Sequence, residues 1–155
     1  KQTQKTIKIN SQSASGYFFN GLCNGTLGEI QGIWNSLSII KPFKKDMETT
    51  ISLDSSIEEG GPHRALGNLY LKLPYILGGD LSRSIDHFKK AISLGSGFGE
   101  NYLGLAEAYI ENDEFILARA TLSKIIHMKL NSHNTESILS WQKKANRLFN
   151  QIADN

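Results

Sequence analysis

A single cysteine, three prolines and the absence of any long apolar run mark this 155-residue chain by what it lacks. With only Cys23, no internal disulfide can form, so a disulfide scaffold is excluded, and the chain fits a reducing cytosol or a periplasm equally well. Beside Phe18, Phe19 and Leu22, Cys23 reads as a small buried hydrophobe rather than a catalytic thiol. No segment approaches the ~20 consecutive apolar residues of a membrane-spanning helix. Charge of one sign is also missing: 17 basic against 15 acidic residues give a net +2. That balance offers no broad cationic surface for nucleic acid or anionic lipid. Lys1, Lys5 and Lys8 sit in a polar stretch and read as a solvated lead-in. The opening has no apolar targeting segment, and the chain is expected to be a mature piece from which any signal or lipid anchor has been removed.

Catalytic signatures are lacking as well. His63, His87, His127 and His133 show no His-x-x-x-His or Cys/His spacing, so no metal is expected. There is no Gly-x-Ser-x-Gly and no phosphate loop, and the glycines at 60–61, 78–79, 95, 97 and 99 fall between helices. Neither an enzyme nor a cofactor is expected. Asn24-Gly25-Thr26 is a formal glycosylation sequon and is read as unused.

What remains is helical periodicity with clear stops, and the fold class expected is all-α. Residues 1–12 are polar and aperiodic. A first helix carries Tyr17, Phe18, Gly21 and Leu22 and is expected to stop at Asn24-Gly25. Thr26 with Glu29 then forms a capping box for a second, bearing Leu27, Ile30, Ile33, Trp34 and Leu37. Pro42 is expected in the first turn of a third helix, with Phe43, Met47, Thr50 and Ile51 on one face, and Asp54-Ser55 closes it. Gly60-Gly61-Pro62 starts the next, Pro74 ends it, Asp80 caps the following one, and Asn112-Asp113 makes a tight turn. After Asn131–Asn134 the stripe Ile138, Trp141, Ala145, Leu148 and Ile152 fits an amphipathic helix that covers the end of an open stack. The count is about eight helices.

Two stretches repeat. His63-x-x-Leu66-Gly67-x-x-Tyr70 precedes Ser84-x-x-x-Phe88-x-x-Ala91, and Tyr102-x-x-Leu105-Ala106-x-x-Tyr109 precedes Ala118-x-x-x-Leu122-x-x-Ile125. Ser84 and Ala118 are 34 residues apart. This resembles the tetratricopeptide repeat, in which an aromatic, a leucine, a small residue and a tyrosine form the first helix of each pair. Phe43, Met47 and Thr50 match the second-helix pattern at an offset of 41, so the first unit is a degenerate, expanded repeat. Tyr70 and Ser84 are 14 apart where Tyr109 and Ala118 are 9 apart, which places an insertion of five residues within Pro74–Gly79. The expected organisation is a polar lead-in (1–12) and one helical domain (13–155). Within it lie a degenerate repeat (13–55), repeats at 60–95 and 99–130, and a capping helix at 134–153.

The run Gly-Gly-Pro-His-Arg-Ala-Leu-Gly-Asn-Leu-Tyr-Leu-Lys-Leu-Pro (60–74), with Leu-Gly-Gly-Asp-Leu (77–81), is more distinctive. It resembles the T component of bacterial tripartite ATP-independent periplasmic (TRAP) transporters over about 90 residues. Ser84 departs from that pattern, which prefers alanine. The resemblance implies a periplasmic, often lipid-anchored helical scaffold that contacts a substrate-binding protein. It also implies a groove or channel able to take a small hydrophobic or anionic ligand.

The candidate partner-binding residues follow from the helical wheel. Arg64, Asn68 and Lys72 fall within about 80° of one another, opposite Leu66 and Tyr70. In this repeat family that face lines the concave groove. The next inner helix carries Glu100, Glu107 and Glu111 there, with Glu107 matching Asn68 and Glu111 matching Lys72. These residues form either a mixed-charge groove for a peptide or small ligand, or ordinary surface pairs worth less than ~1 kcal/mol. Arg64 and Asn68 occupy two positions of a peptide-carboxylate clamp, but Glu100 and Gly104 stand where its other members belong, so the clamp is incomplete. His63 is expected to pack in the core. Tyr75 and Ile76, in the insertion, are expected to fold back with Leu77 onto the core, or else to stand out as a partner-binding knob. The function expected is a non-catalytic scaffold that binds another protein or a peptide, with a ligand-binding or relay module as the alternative. No nucleic acid and no direct membrane span are expected.

Overall fold

The computed structural model describes residues 13–31, 37–130 and 134–153, and in 26–31 the backbone alone. Among the described residues it is all-helical, with α1 (Ala14–Gln31), α2 (Leu37–Asp54), α3 (Ile57–Lys72), α4 (Leu81–Leu94), α5 (Gly99–Glu111), α6 (Phe115–Ile126) and α7 (Thr135–Gln151). A 3-10 turn at Tyr75–Leu77 joins α3 to α4. Each helix packs on the next, and α1 on α3, α3 on α5 and α5 on α7 touch as well. Seven helices stand where about eight were expected, because α1 runs straight through Asn24-Gly25 and Thr26 opens no new helix.

The cause lies across the interface. Gly21 faces Met47 and Asp46 of α2, and a Cβ on Gly25 would lie 2.9 Å from the Phe43 ring. These glycines let α1 and α2 approach closely instead of ending a helix. Cys23, about 200° round α1 from Gly21 at 100° per residue, is exposed, not buried as its apolar neighbours suggested. The α2 helix begins at Leu37, so Pro42 lies inside it and not in its first turn. Ile33 and Trp34 lie outside the described residues.

The face read from α2 is the buried one: Phe43, Met47 and Thr50 are all covered. Phe43 and Met47 join Phe18, Leu66 and Tyr70 in one apolar cluster. A larger cluster runs from Ile85 and Phe88 through Leu105, Ala118, Leu122 and Ile125 to Ile138 and Trp141. All the second-helix positions aligned at spacing 34 are fully covered: Ser84, Phe88 and Ala91 on α4 and Ala118, Leu122 and Ile125 on α6. The Phe88 ring is wedged between Gly67 of α3 and Gly104 of α5, where an added Cβ would overlap it. Ser84, the departure from alanine, donates its hydroxyl to the Gly67 carbonyl at 2.9 Å, so the polar atom is satisfied inside the core.

The start of α3 is less regular. Glu58 (φ 49°), Glu59 (φ 57°) and Gly60 (φ 76°) are left-handed, so the right-handed helix begins near Gly61-Pro62, as the proline suggested. Two left-handed glutamates cost on the order of 1–2 kcal/mol each. Arg64 and Asn101 hold this turn by its Glu58 and Glu59 carbonyls.

Candidate interaction groove and exposed loop

Arg64 projects from α3 toward the start of α5. Its Nη1 donates to Asn101 Oδ1 at 2.9 Å and to the Glu58 carbonyl at 3.2 Å, and the guanidinium lies 4.5 Å from the Phe98 ring centroid. Asn101, fully buried, in turn donates Nδ2 to the carbonyls of Glu59 (2.9 Å), Ala91 (3.1 Å) and Gly95 (3.1 Å). One side chain thus satisfies carbonyls from the left-handed turn, from the end of α4 and from the loop that follows. Gly60 and Gly95 allow the close backbone approach: a Cβ on Gly60 would lie 2.8 Å from the Ala91 backbone. Burial pulls the Arg64 pKa down, opposed by the charges of Glu100, Glu58 and Glu59. The guanidinium expected to face a ligand is therefore engaged in holding α3, α4 and α5 in register.

Further along the same pair of helices the side chains are more open. Asn68 is half-buried and Lys72 exposed on α3, while Glu107 and Glu111 are exposed on α5. Burial of the Glu107 carboxyl raises its pKa, although the residue as a whole keeps an open surface. The charges of Lys72, Lys144 and Arg147 pull in the opposite direction, and Glu111 pushes it higher. The charge of Lys72 thus reaches Glu107, one turn before the matched position Glu111. Lys144 and Arg147 come from α7, and sequence reading missed them. The signal was there, since they lie three apart on the polar side of the Ile138–Ile152 stripe, but that helix was read only as a cap. Glu107 is consequently flanked by cations from α3 and α7. The clamp position Gly104 is filled by the Phe88 ring, which gives the physical reason why no asparagine stands there.

Beyond Lys72 the chain enters the insertion. The α3 helix ends where Leu73 donates its N–H to the Leu69 carbonyl. The turn is closed by its own backbone: Leu77 and Gly79 N–H donate to the Pro74 carbonyl at 2.9 and 3.1 Å, and Gly78 N–H to the Tyr75 carbonyl at 2.9 Å. Its side chains do not fold back. Tyr75 is 92 % and Ile76 83 % exposed, and only Leu77 is half-buried. The packing expectation for Tyr75 and Ile76 is therefore corrected. A turn whose backbone hydrogen bonds are internal keeps its shape without burying them, and α4 is already capped by Asp80, whose carboxylate accepts from Arg83 N–H at 3.0 Å.

His63 packs in the core as expected, with 7 % of its surface exposed. Among the described residues no group of three or more His, Cys, Asp or Glu side chains is placed to hold a metal. Among them, too, no helix is long and apolar enough to cross a membrane.

Comparison with known families agrees with the distinctive 60–81 segment. The family described as TRAP transporter T-component matches residues 23–154, well over half of the chain. No curated protein sequence matches significantly. A match of that extent, over the all-helical stack just described, settles the assignment: the chain belongs to the TRAP transporter T-component family, and its role is transporter-associated.

Proposed function

We propose that this chain is a non-catalytic scaffold of the bacterial envelope that binds another protein of its transporter, a periplasmic substrate-binding protein being the partner in view. The contact surface is the row Asn68, Lys72, Glu107 and Glu111, widened by Lys144 and Arg147 and continued by Tyr75 and Ile76. Arg64 serves this surface from behind, by fixing the angle at which α3 meets α5.

The observation that carries the reading is the exposure of Tyr75 and Ile76 on a self-bonded turn next to a row of charged side chains. Large apolar side chains held rigidly in water lose little conformational freedom on docking, and tyrosine is enriched among residues that anchor interfaces. Opposite charges around such an anchor steer encounter and reject wrong partners more than they add affinity. The half-buried Asn68 amide makes no hydrogen bond among the described residues and is available to a partner's backbone.

The test is a pull-down from envelope extract with the wild-type chain and with a Tyr75→Ser/Lys72→Glu double variant, read by mass spectrometry. A substrate-binding protein captured by wild type and lost with the variant is the expected result. Equal capture by both would contradict this surface.

A further inference from the structure

On the other side of α3 lies a second concavity that the groove does not use. At 100° per residue, His63 and Tyr70 lie roughly 150° round the helix from Asn68. A cleft of about 520 Å³ opens there between α2 and α4, lined by Lys44 and Glu48 of α2, Tyr70 of α3, and Arg83, Asp86, His87 and Lys90 of α4. Three cations line it, two of them beside one aromatic ring. The Lys44 ammonium lies 4.9 Å from the Tyr70 ring centroid and the Arg83 guanidinium 5.4 Å from it. Arg83 also donates to the Tyr70 hydroxyl at 3.2 Å.

Behind the ring, His63 and His87 meet Nδ1 to Nδ1 at 3.0 Å, and His87 stacks on Tyr70 with centroids 5.6 Å apart at 20°. That contact requires one ring to carry its proton on Nδ1 and the other to present a lone pair, so the pair holds together only while at least one ring is neutral. Two carboxylates line the same space, yet neither Glu48 nor Asp86 closes to ion-pair distance of Lys44 or Lys90. Arg83 reaches only the exposed Asp80, at 3.8 Å. Lys44, Arg83 and Lys90 outnumber the two lining carboxylates, so the cations repel one another more than Glu48 and Asp86 offset, and an added anion relieves that repulsion. A cation would meet the opposite field, which disfavours a metal on the two imidazoles.

We propose that the cleft between α2 and α4 is a binding site for the oxyanion group, phosphate or carboxylate, of a small polar molecule, held by Lys44, Arg83 and Lys90 against Tyr70 and the His63–His87 pair. The volume exceeds that of a bare oxyanion and leaves room for a polar body, while the Tyr70 and His87 faces give it a flat wall. Protonation of the imidazoles adds positive charge to the site. Burial and the neighbouring cations Lys90 and Arg83 hold His87 down to about 4, with Asp86 alone pulling upward, and burial with Lys90 lowers His63 also. A bound anion therefore raises both, and by linkage its affinity rises as pH falls from 7 toward 5.

The experiment is an NMR titration of the histidine imidazole signals with sulfate, which stays dianionic over that range, at ionic strength held constant with chloride. Saturable shifts of His63 and His87 are expected, with affinity at least five-fold weaker in Lys90→Gln and Lys44→Gln and unchanged in Lys124→Gln. Affinity should be several-fold tighter at pH 5.5 than at pH 7. Shifts that fail to saturate, or that the lysine variants leave untouched, would overturn the site. Acetate and phosphatidylglycerol vesicles distinguish the sources of the group. Competition by acetate alone points to a free carboxylate ligand, and competition by vesicles places the same oxyanion chemistry on a lipid headgroup.

Discussion

Asn101 shows how one side chain decides a backbone path. Its amide serves three carbonyls from three segments, and its Oδ1 accepts from Arg64. Asn101→Ala would remove these four hydrogen bonds at once, leaving the Ala91 and Gly95 carbonyls only their backbone donors and Arg64 only the Glu58 and Glu59 carbonyls, at about 0.5–1.5 kcal/mol for each bond lost. Thermal denaturation should place the variant at least 2 kcal/mol below wild type, while Asn68→Ala stays within ~0.5 kcal/mol. Equal stability of the two variants would contradict the network. His87 gives a second prediction, of pH dependence. Its folded pKa of about 4 lies below the ordinary 6.5, so between those values the unfolded chain binds more protons than the folded one. Stability from this group is present above pH 6.5 and is lost as pH falls toward 4. Discounted for its partial exposure, the loss is on the order of 2 kcal/mol. The difference in stability between wild type and His87→Gln should shrink across that window, and a constant difference would refute the pairing. Neither device was legible in the sequence, because Asn101 and Arg64, or His63 and His87, meet only once three helices are stacked.

At the scale of elements, α4 is packed between α3 and α5. Phe88 fills the space between Gly67 and Gly104, so Gly104→Ala should overpack that contact and cost about 2 kcal/mol in chemical denaturation, a core strain typical of added volume. Ala118, fully buried on α6, is the equivalent of Ser84. Ala118→Arg would bury a charge without a partner and should unfold the stack, by roughly 4 kcal/mol or more. An unchanged melting temperature would invalidate the 34-residue register. These helices were legible because their apolar spacing records the faces they bury. The α1–α2 pair was read less well for a physical reason. Asn-Gly ends helices when glycine is needed for its left-handed conformation, and here Gly25 is needed for its missing Cβ against Phe43. The insertion misled in the opposite sense, since apolar residues in a loop suggest packing, and a turn that satisfies its own hydrogen bonds can leave Tyr75 and Ile76 in water.

For the whole molecule, two apolar clusters are joined across α3 and α4. The outer end is closed by α7, through Gln142 to the carbonyls of Ile126 and Met128 at 3.0 Å and through Arg119 to the Ile152 carbonyl at 3.0 Å. That closure brings Lys144 and Arg147 to Glu107 and gives the charged face a third contributing helix. Helical-wheel reasoning found the α3 and α5 faces, since each is local, but not the one supplied from more than thirty residues away. We propose a partner-binding face on one side of α3 and an oxyanion cleft on the other, within a member of the TRAP transporter T-component family. The protein contact is the central claim. Isothermal titration of the purified chain against the substrate-binding protein of the same transporter tests it most directly, with Tyr75→Ser/Ile76→Ser and Lys44→Gln as the two variants. The expected result is measurable binding by wild type and by Lys44→Gln, weakened at least ten-fold, about 1.4 kcal/mol, by the double variant at Tyr75 and Ile76. Wild-type binding undiminished in that double variant, or no binding by wild type at all, would contradict the account.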